Sequence, residues 1–549
     1  MKRISHKIKN SPKPSLSVII SADDESSAIT QVINEAKKIT NRTEIIVVCL
    51  GSNETTAKYA EKAGARVIRM KDAMSSNAGR AIGAAIAEGE IILFTDTCVI
   101  PANVLRKYYQ DVLEGWDVVL NGYSGIDPTR PINEAKRFLN KLVDHSELRA
   151  SSLSAVPHAL SRNALKKIGY TNLAVPPKAF VKAVLNGLTV KRGYRLDVHK
   201  WRKTRNAMDT SLILGDHAEA ISNIITVRGE RGGFTDFLRQ RELLKNHVLK
   251  VSTETDAPKK DIPIEMKTKD LPTDTWKRKT LSVIISASNE EDTIQDVIKN
   301  VKELMPKEII VVENGSKDRT KEICLSLGVK CISYENSIGH DIGRAIGAME
   351  STGDILLFLD GDIVFSPEQL IPFIKSCCEN VDIALNNVNP FYLHKSMIDA
   401  VSLAKSFLNR LLSFPQLGYS SLTAIPHAMK RDAAEFIGFE NLAVPPKAHA
   451  IALLFGLQVD QVQGINVLIS NKIRPVHLTE SNKVEQMILG DHIEAIHWVQ
   501  SLIGRRVFYQ EHDDALEKYV ANPPKTLNSA SFPNRIERKV TSLAKRKKI

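Results

Sequence analysis

The sequence predicts an α/β protein made of two tandem copies of one domain, each built on a mostly parallel sheet with helices on both faces. Two observations lead to this prediction. Short sequences recur in the same order in both halves of the chain, and apolar runs of strand length alternate with helical patterns. Continuous apolar strands separated by helices are typical of a parallel sheet buried on both faces. We therefore expect a ligand crevice at the carboxyl ends of the strands.

The repeat extends over more than 200 residues of each half. LSVIISA begins at residues 16 and 281, GRAIGA at 79 and 343, and NLAVPPKA at 172 and 441. These offsets of 265, 264 and 269 residues are nearly constant. Ordered matches at a fixed spacing indicate a tandem duplication.

Hydrophobic periodicity predicts the elements of the second copy in order. We expect strands at 281–285, 308–312, 330–333 and 354–359, with helices near 294–301, at 320–327 and at 343–350. The two domains should span residues 15–250 and 281–520, because residues 251–280 lose apolar periodicity and resemble a solvated linker. Basic tails are predicted at 1–14 and 521–549.

Composition limits the classes of protein to consider. The chain has 549 residues and a formal net charge of +12, which favours anionic ligands. No apolar run approaches the roughly 18–20 residues that span a bilayer, and no signal peptide is recognised, so a cytoplasmic location is expected. The basic C-terminal tail predicts peripheral contact with an anionic membrane. Nucleic acid is not an expected partner, because basic residues are spread along the chain without an RNA-binding motif.

Acidic and polar loops follow the predicted strands of the second copy. They read SASNEE after the first strand, ENGSKD after the second, and Asp360-Gly361-Asp362 after the last. No phosphate-binding G-x-G-x-x-G is present, which argues against a dinucleotide dehydrogenase. Two carboxylates separated by one glycine can hold a hard divalent cation, which in turn can neutralise a diphosphate.

The segments SVIISASNEE, VVENGSKDRT, GHDIGRAIG and LFLDGD resemble family 2 glycosyltransferases with the GT-A fold, a Rossmann-like domain. The resemblance covers approximately residues 15–100 and 280–365. It implies that the first two loops bind the nucleotide, that the arginine region helps, and that the D-x-D motif binds Mg²⁺ or Mn²⁺. The residues it assigns to the nucleotide-sugar donor are Ser286, Asn289, Glu290, Glu313, Gly315, Ser316, Arg344 and Asp360. Asp360 and Asp362 would be the metal ligands, with Asp362 also counted as catalytic.

The acceptor half departs from the family pattern. Inverting members commonly carry an acid pair where this chain has residues 443–448, AVPPKA. An inverting transfer needs a carboxylate to accept the proton of the acceptor hydroxyl. Asp491 is the candidate base, an N-cap is its alternative role, and without a base a retaining mechanism is expected. His477 and His492 are candidates for a third metal ligand.

The first copy lacks part of the predicted site. Asp96-Thr97-Cys98 stands where the second copy has Asp-Gly-Asp, and Cys49 stands opposite Glu313. Cysteine is a poor ligand for Mg²⁺ because this hard cation prefers oxygen. We expect the first copy to be inactive; a second, metal-independent transferase is the alternative.

These observations predict a glycosyltransferase that moves a sugar from a nucleotide-diphosphate sugar, with UDP as one candidate carrier. The acceptor would be a glycan, a lipid or a small molecule, in polysaccharide or glycoconjugate synthesis. One alternative is a non-catalytic scaffold that binds anions or nucleotides through its positive charge. Another is a nucleotidyltransferase on a similar fold, which would release pyrophosphate.

Overall fold

The computed structural model describes residues 14–22, 26–50, 54–70, 75–122, 130–197, 207–245, 279–392, 398–467 and 482–509. The predicted C-terminal tail, almost all of the N-terminal tail, linker residues 251–278 and His477 lie outside the described residues. By compactness the chain divides into two units, Met1–Val227 and Arg228–Ile549.

The described part of the first unit alternates strands and helices. Its strands are β1 Leu16–Ala22, β2 Thr43–Leu50, β3 Arg66–Met70, β4 Ile91–Thr95, β5 Val118–Leu120, β6 His158–Ser161 and β7 Val190–Arg192. Its helices are α1 Ser26–Lys37, α2 Glu54–Lys62, α3 Ser76–Ile86, α4 Ala102–Leu113, α5 Pro131–Leu142, α6 Arg162–Ile168, α7 Pro176–Leu185 and α8 Ala207–Arg228, the last of which ends at the unit boundary.

The second unit repeats this succession. Its described strands are β8 Leu281–Ala287, β9 Glu308–Asn314, β10 Lys330–Tyr334, β11 Ile355–Asp360, β12 Ile383–Asn386, β13 His427–Lys430 and β14 Val459–Gln463. Its described helices are α9 Ile294–Lys302, α10 Thr320–Ser326, α11 Ile342–Glu350, α12 Pro367–Cys378, α13 Ala400–Leu411, α14 Arg431–Ile437, α15 Pro445–Leu454 and α16 Lys483–Ile503. The elements predicted from periodicity are confirmed, with bounds that differ by at most about two residues.

Each unit holds one seven-stranded sheet in the described residues. The strand orders are β3-β2-β1-β4-β6-β5-β7 and β10-β9-β8-β11-β13-β12-β14, so corresponding strands occupy corresponding places. The pairings on the nucleotide side are parallel, whereas β6 and β13 run antiparallel to both neighbours. The prediction of two α/β domains with mostly parallel sheets is confirmed.

The core of the second unit determines where the polar strand ends are exposed. Every residue of β11 is buried except its last, Asp360. β8 shows the same apolar run, with Val283 and Ile285 fully buried between helices. Because the apolar body of each strand is covered, the polar residues that follow are brought to the carboxyl edge of the sheet.

No described helix is both long enough and apolar enough to cross a membrane.

Candidate functional site

A cavity of about 510 Å³ opens at the carboxyl edge of the second unit's sheet. Five of the residues predicted for the site line it: Ser286, Glu290, Arg344, Asp360 and Asp362. The strand register accounts for this, since Asp360 pairs with Ser286, and Ala287 pairs with Glu313 on the next strand. Parallel strands in register end at one edge, so residues distant in sequence meet there.

The two aspartates of the D-x-D sequence face this cavity. The side chain of Asp360 is 29% exposed, and its Oδ1 and Oδ2 lie 3.2 and 3.3 Å from Arg344 Nη2. Carboxylate oxygens are the ligands that Mg²⁺ and Mn²⁺ prefer. Within the described residues no group of three His, Cys, Asp or Glu side chains could hold a metal. The described His, Cys, Asp and Glu residues therefore offer at most two ligands to one cation, and a cation beside Asp360 and Asp362 would complete its coordination with other oxygens.

Arg344, which contacts Asp360, also forms an ion pair with a second carboxylate, Asp341. It is buried in α11, and its Nη1 lies 2.8 Å from Asp341 Oδ1. Burial of Asp341 opposes its ionisation, but His340, Arg344 and Arg239 outweigh that effect and hold the pKa of Asp341 below its ordinary value. The guanidinium is thus held between two carboxylates, of which only Asp360 is substantially exposed.

Asn289 ties the first nucleotide loop to the second, and Glu313 bonds within the second loop and to strand β10. The Asn289 N–H donates to Ser316 Oγ at 3.0 Å, and the Lys317 N–H donates to Asn289 Oδ1 at 2.8 Å. Glu313 accepts from the Ser316 N–H and from Ser333 Oγ. Neither Asn289 nor Glu313, nor Gly315 and Ser316, is among the described residues that line the cavity. They fix the shape of the loops behind it.

Helix α16 carries Asp491 and His492, and both side chains are buried. Arg239 binds both oxygens of Asp491, at 2.7 and 2.9 Å, and Arg231 also bonds Oδ1. His492 Nδ1 bonds to the carbonyl of Ile488 at 2.7 Å, and burial lowers the pKa of His492 to about 3. Neither residue lines the cavity described here. Asp491 acts in a buried ion pair in this arrangement.

Lys405 and Asp341 also line the cavity, although neither was predicted as a site residue. Lys405 lies on α13, and burial together with the nearby Arg344 lowers its pKa to about 8, although Asp399 opposes the shift. A signal was present, because Lys136 occupies the matching position of the first copy and is also buried. Asp341 stands one helical turn before Arg344, where ion pairing is common.

The first unit arranges the corresponding residues differently. Asp96 follows β4 and accepts a hydrogen bond from the Cys98 N–H at 3.1 Å. Arg80 Nη1 donates to Asn77 Oδ1 at 3.0 Å, where the second unit has the ion pair of Arg344 with Asp341. Asp24, which corresponds to Asn289, lies outside the described residues. The first unit has one carboxylate where the second has the Asp360 and Asp362 pair.

Several known proteins are similar to this chain. Glucosyl-3-phosphoglycerate synthase of Mycolicibacterium smegmatis is 25% identical over 265 residues, which cover 43% of this chain and 84% of that protein. The 4,4'-diaponeurosporenoate glycosyltransferase of Staphylococcus haemolyticus is 31% identical over 122 residues, or 21% of this chain and 32% of that protein. A crystal structure of Mycobacterium tuberculosis glucosyl-3-phosphoglycerate synthase with Mn²⁺, UDP and glucosyl-3-phosphoglycerate has 20% identity and a TM-score of 0.29, covering 38% of this chain and 80% of that one.

A family model accounts for a larger part of the chain. The model described as Glycosyl transferase family 2 matches residues 17–169 and 282–416, one segment in each copy. Together the segments make up more than half of the chain and begin within the first strand of each sheet. The resemblance inferred from the loop motifs, including the GT-A fold, is thereby confirmed. The chain belongs to glycosyltransferase family 2.

Proposed function

We propose that the second copy transfers a sugar from a nucleotide-diphosphate sugar, with a UDP-sugar as donor. The observation that carries this proposal is the cavity in which Asp360, Asp362 and Arg344 meet. Two carboxylates beside a buried arginine suit a diphosphate bridged by a cation. The choice of UDP is supported by the complex of the mycobacterial synthase with UDP and Mn²⁺.

The donor set at the cavity fits Mg²⁺ or Mn²⁺. Asp360 and Asp362 offer hard oxygen ligands, and Ser286 Oγ, which has no hydrogen-bond partner among the described residues, is nearby in the same cavity. A cation held there would offset the charge that develops on the departing diphosphate. Arg344 would orient the Asp360 carboxylate and add a fixed positive charge, which needs no rearrangement during the reaction.

We further propose a small anionic acceptor. Lys405 lines the cavity from α13, and at neutral pH it is a cation in a largely buried place. Such a group favours a carboxylate or phosphate more strongly than an exposed lysine would. Phosphoglycerate, bound by the mycobacterial synthase in a solved complex, has this chemistry. A neutral glycan or a neutral lipid acceptor would offer Lys405 no opposite charge.

Retention of the anomeric configuration is the proposed outcome. Among the described residues, the acids that line the cavity beside Asp360 and Asp362 are Glu290, Asp341 and Asp399. Asp341 pairs with arginines, and Asp399 caps α13 by accepting from the Ser402 N–H. Asp491, the candidate base, is held by Arg239 away from the cavity lining. Inversion requires a base beside the acceptor. Among the described acids, Asp341, Asp399 and Asp491 are engaged in ion pairs or a helix cap, and Glu290 is buried in the loop assigned to the nucleotide.

The test is donor turnover by the full chain with UDP-sugars, with and without Mn²⁺. Asp362→Ala should reduce turnover by at least about 100-fold, as expected when a charge-stabilising group is lost from a prepared site. Cys98→Ala, the matching change in the first copy, is the control and should leave turnover unchanged. Proton NMR of the product reads its anomeric configuration.

Three results would contradict the proposal. Full activity of Asp362→Ala would remove the D-x-D sequence from the mechanism. Release of pyrophosphate in place of a nucleoside diphosphate would indicate a nucleotidyltransferase. Binding of any polyanion with strong salt dependence, without turnover or Mn²⁺-dependent UDP binding, would favour the scaffold.

A further inference from the structure

A segment just after helix α8, within the span predicted for the first domain, lies against the site of the second unit. Residues 231–241, here called the arginine segment, come directly after α8 and belong to the second compact unit. Two of its residues, Phe237 and Leu238, line the cavity. The segment falls outside the repeated motifs, so nothing in the duplication indicated this position.

Two arginines anchor the ends of the arginine segment on helix α16. Arg231 Nη1 lies 2.8 Å from Glu494 Oε2 and 2.8 Å from Asp491 Oδ1. Arg241 places both terminal nitrogens 2.8 Å from the oxygens of Glu494. Paired guanidinium and carboxylate groups of this kind fix geometry as well as charge.

Arg239, between these anchors, has a different set of contacts. Its side chain is 0% exposed and binds Asp491 through two hydrogen bonds. It also reaches the loop before α11, with Nε 3.0 Å from the His340 carbonyl and Nη2 3.4 Å from Asp341 Oδ2. Arg239 therefore connects α16 to the loop that carries Asp341.

The backbones of the segment and the loop are also in close contact. The Gln240 N–H donates to the carbonyl of Ile338 at 2.9 Å. Gly339 has φ +93°, and a Cβ there would lie 2.4 Å from Arg239 Cα. Only glycine tolerates both this φ and this approach, so the loop is shaped to receive the arginine segment.

A series of ion pairs connects Arg239 to the D-x-D sequence. Asp341, held by Arg239 on one side, binds Arg344 at 2.8 Å on the other, and Arg344 binds Asp360 at 3.2 Å. Opposite charges thus alternate from α16 to the cavity. We propose that Arg239 is a positioning residue that sets Arg344 and Asp360 for the donor diphosphate, so that the arginine segment is a working part of the second copy's site.

This inference rests on the proposed function, because it assumes that Arg344 and Asp360 face the donor diphosphate. Lysine at position 239 would keep the positive charge but has no planar fork, so it cannot hold Asp491 and Asp341 together. Of these two arginines, Arg344 alone would then pair with Asp341, and its hold on Asp360 would change. Removing a group that orients a ligating side chain typically costs about 10- to 100-fold in affinity or activity.

The experiment compares Arg239→Lys with Arg241→Lys in the full chain by calorimetric titration of UDP at saturating Mn²⁺. We expect the Kd for UDP to rise about 10- to 100-fold in Arg239→Lys and to stay within about twofold in Arg241→Lys, whose contacts do not reach the loop. Asp341→Asn, which leaves the pair of Arg239 with Asp491 in place, should raise the Kd similarly. A role in folding alone would lower the active fraction without changing the Kd.

Crystal structures of the two lysine variants provide a readout that needs neither turnover nor UDP binding. The contact of Arg344 with Asp360 should be displaced in Arg239→Lys and retained in Arg241→Lys. An unchanged contact and Kd in Arg239→Lys, or equal changes in both variants, would overturn the inference. If the unaltered protein binds no UDP, the proposed function fails, while these structures still decide the role of Arg239.

Discussion

Lys405 is a charged side chain in a place where charge is unfavourable. Burial, together with the like charge of Arg344, lowers its pKa from 10.5 to about 8, and Asp399 offsets part of this shift. The unfolded chain therefore binds a proton at Lys405 more tightly than the folded protein does. Between pH 8 and about 10.5 stability should rise with pH, because the unfolded state holds more protons in this window. A buried residue that lowers folding stability in this way is expected at functional sites, where perturbed pKa values are common.

Lys405→Met is expected to be more stable than the unaltered protein at pH 7. The gain should be on the order of 3 kcal/mol, since one pKa unit corresponds to about 1.4 kcal/mol, and it should shrink as pH rises from 8 towards 10.5. Urea unfolding across this pH range measures it, with the exposed Lys299→Met as control. A stability difference that does not depend on pH would contradict the assigned shift.

Individual site residues differ in how far the sequence could predict them. Asp360, Asp362 and Arg344 follow buried strands or begin a repeated helix, so their places at the sheet edge follow from the fold. Asp491 is an acidic residue beside an apolar helical pattern. That local sequence is equally compatible with a catalytic base, a helix cap and an ion pair. Its partner Arg239 lies 252 positions away in sequence, and only tertiary structure brings such residues together.

Helix α11 approaches strand β8 through glycine. A Cβ at Gly347 would lie 2.4 Å from Ile284 Cγ2, and at Gly83 of the first copy a Cβ would lie 2.5 Å from Ile19 Cγ2. Both isoleucines are fully buried and have little room to move. The repeated G-x-x-x-G therefore sets the distance between a helix and the sheet in each unit. In the second unit that helix carries Arg344.

Gly347→Ala and Gly83→Ala form a matched pair for this packing. Each should destabilise its own unit by about 1–3 kcal/mol, the usual cost of inserting a methyl group into a packed core. Only Gly347→Ala should also reduce donor turnover, because it moves α11 and Arg344 away from Asp360. Scanning calorimetry and donor turnover measure the two effects. Equal loss of turnover in both variants would contradict a catalytic role for the second copy alone.

Elements with long apolar runs could be predicted, and short ones could not. β8, β9 and β11 are continuous apolar segments, and the helices between them show clear spacing. β12 and β13 have four residues each, too few to show a period. β13 is antiparallel and is fixed by hydrogen bonds to β11 and β12, which are tertiary contacts that no local pattern encodes.

Both copies have the same architecture, but only the second has the pair of aspartates at the end of the fourth strand. Both sheets have the same strand order. Arg80 in α3 and Arg344 in α11 occupy matching positions of the helix before the fourth strand of each unit. Some of the differences between the copies fall beside this arginine. Asp341 and Asp362 of the second copy are replaced by Asn77 and Cys98 in the first. A fold can persist under such changes because its core does not depend on them.

The asymmetry predicts one Mn²⁺-dependent UDP site per chain. Asp360→Asn should abolish this binding and most donor turnover, because the isosteric amide removes a charged ligand beside Arg344. Asp96→Asn should change neither by more than about twofold, since Asp96 belongs to the first unit and not to the proposed site. Calorimetric titration gives both the stoichiometry and the affinity.

Two outcomes of this titration would change the interpretation of the first copy. Two equivalent sites, each lost with its own aspartate, would show that Cys98 does not prevent metal-dependent binding. A second site that binds UDP without Mn²⁺ and survives Asp360→Asn would instead support a metal-independent transferase there. Arg80 is retained, but Asn77 stands where the second copy has Asp341, so the position that pairs with Arg344 in the second copy carries no charge in the first. We therefore expect a single site, located in the second copy.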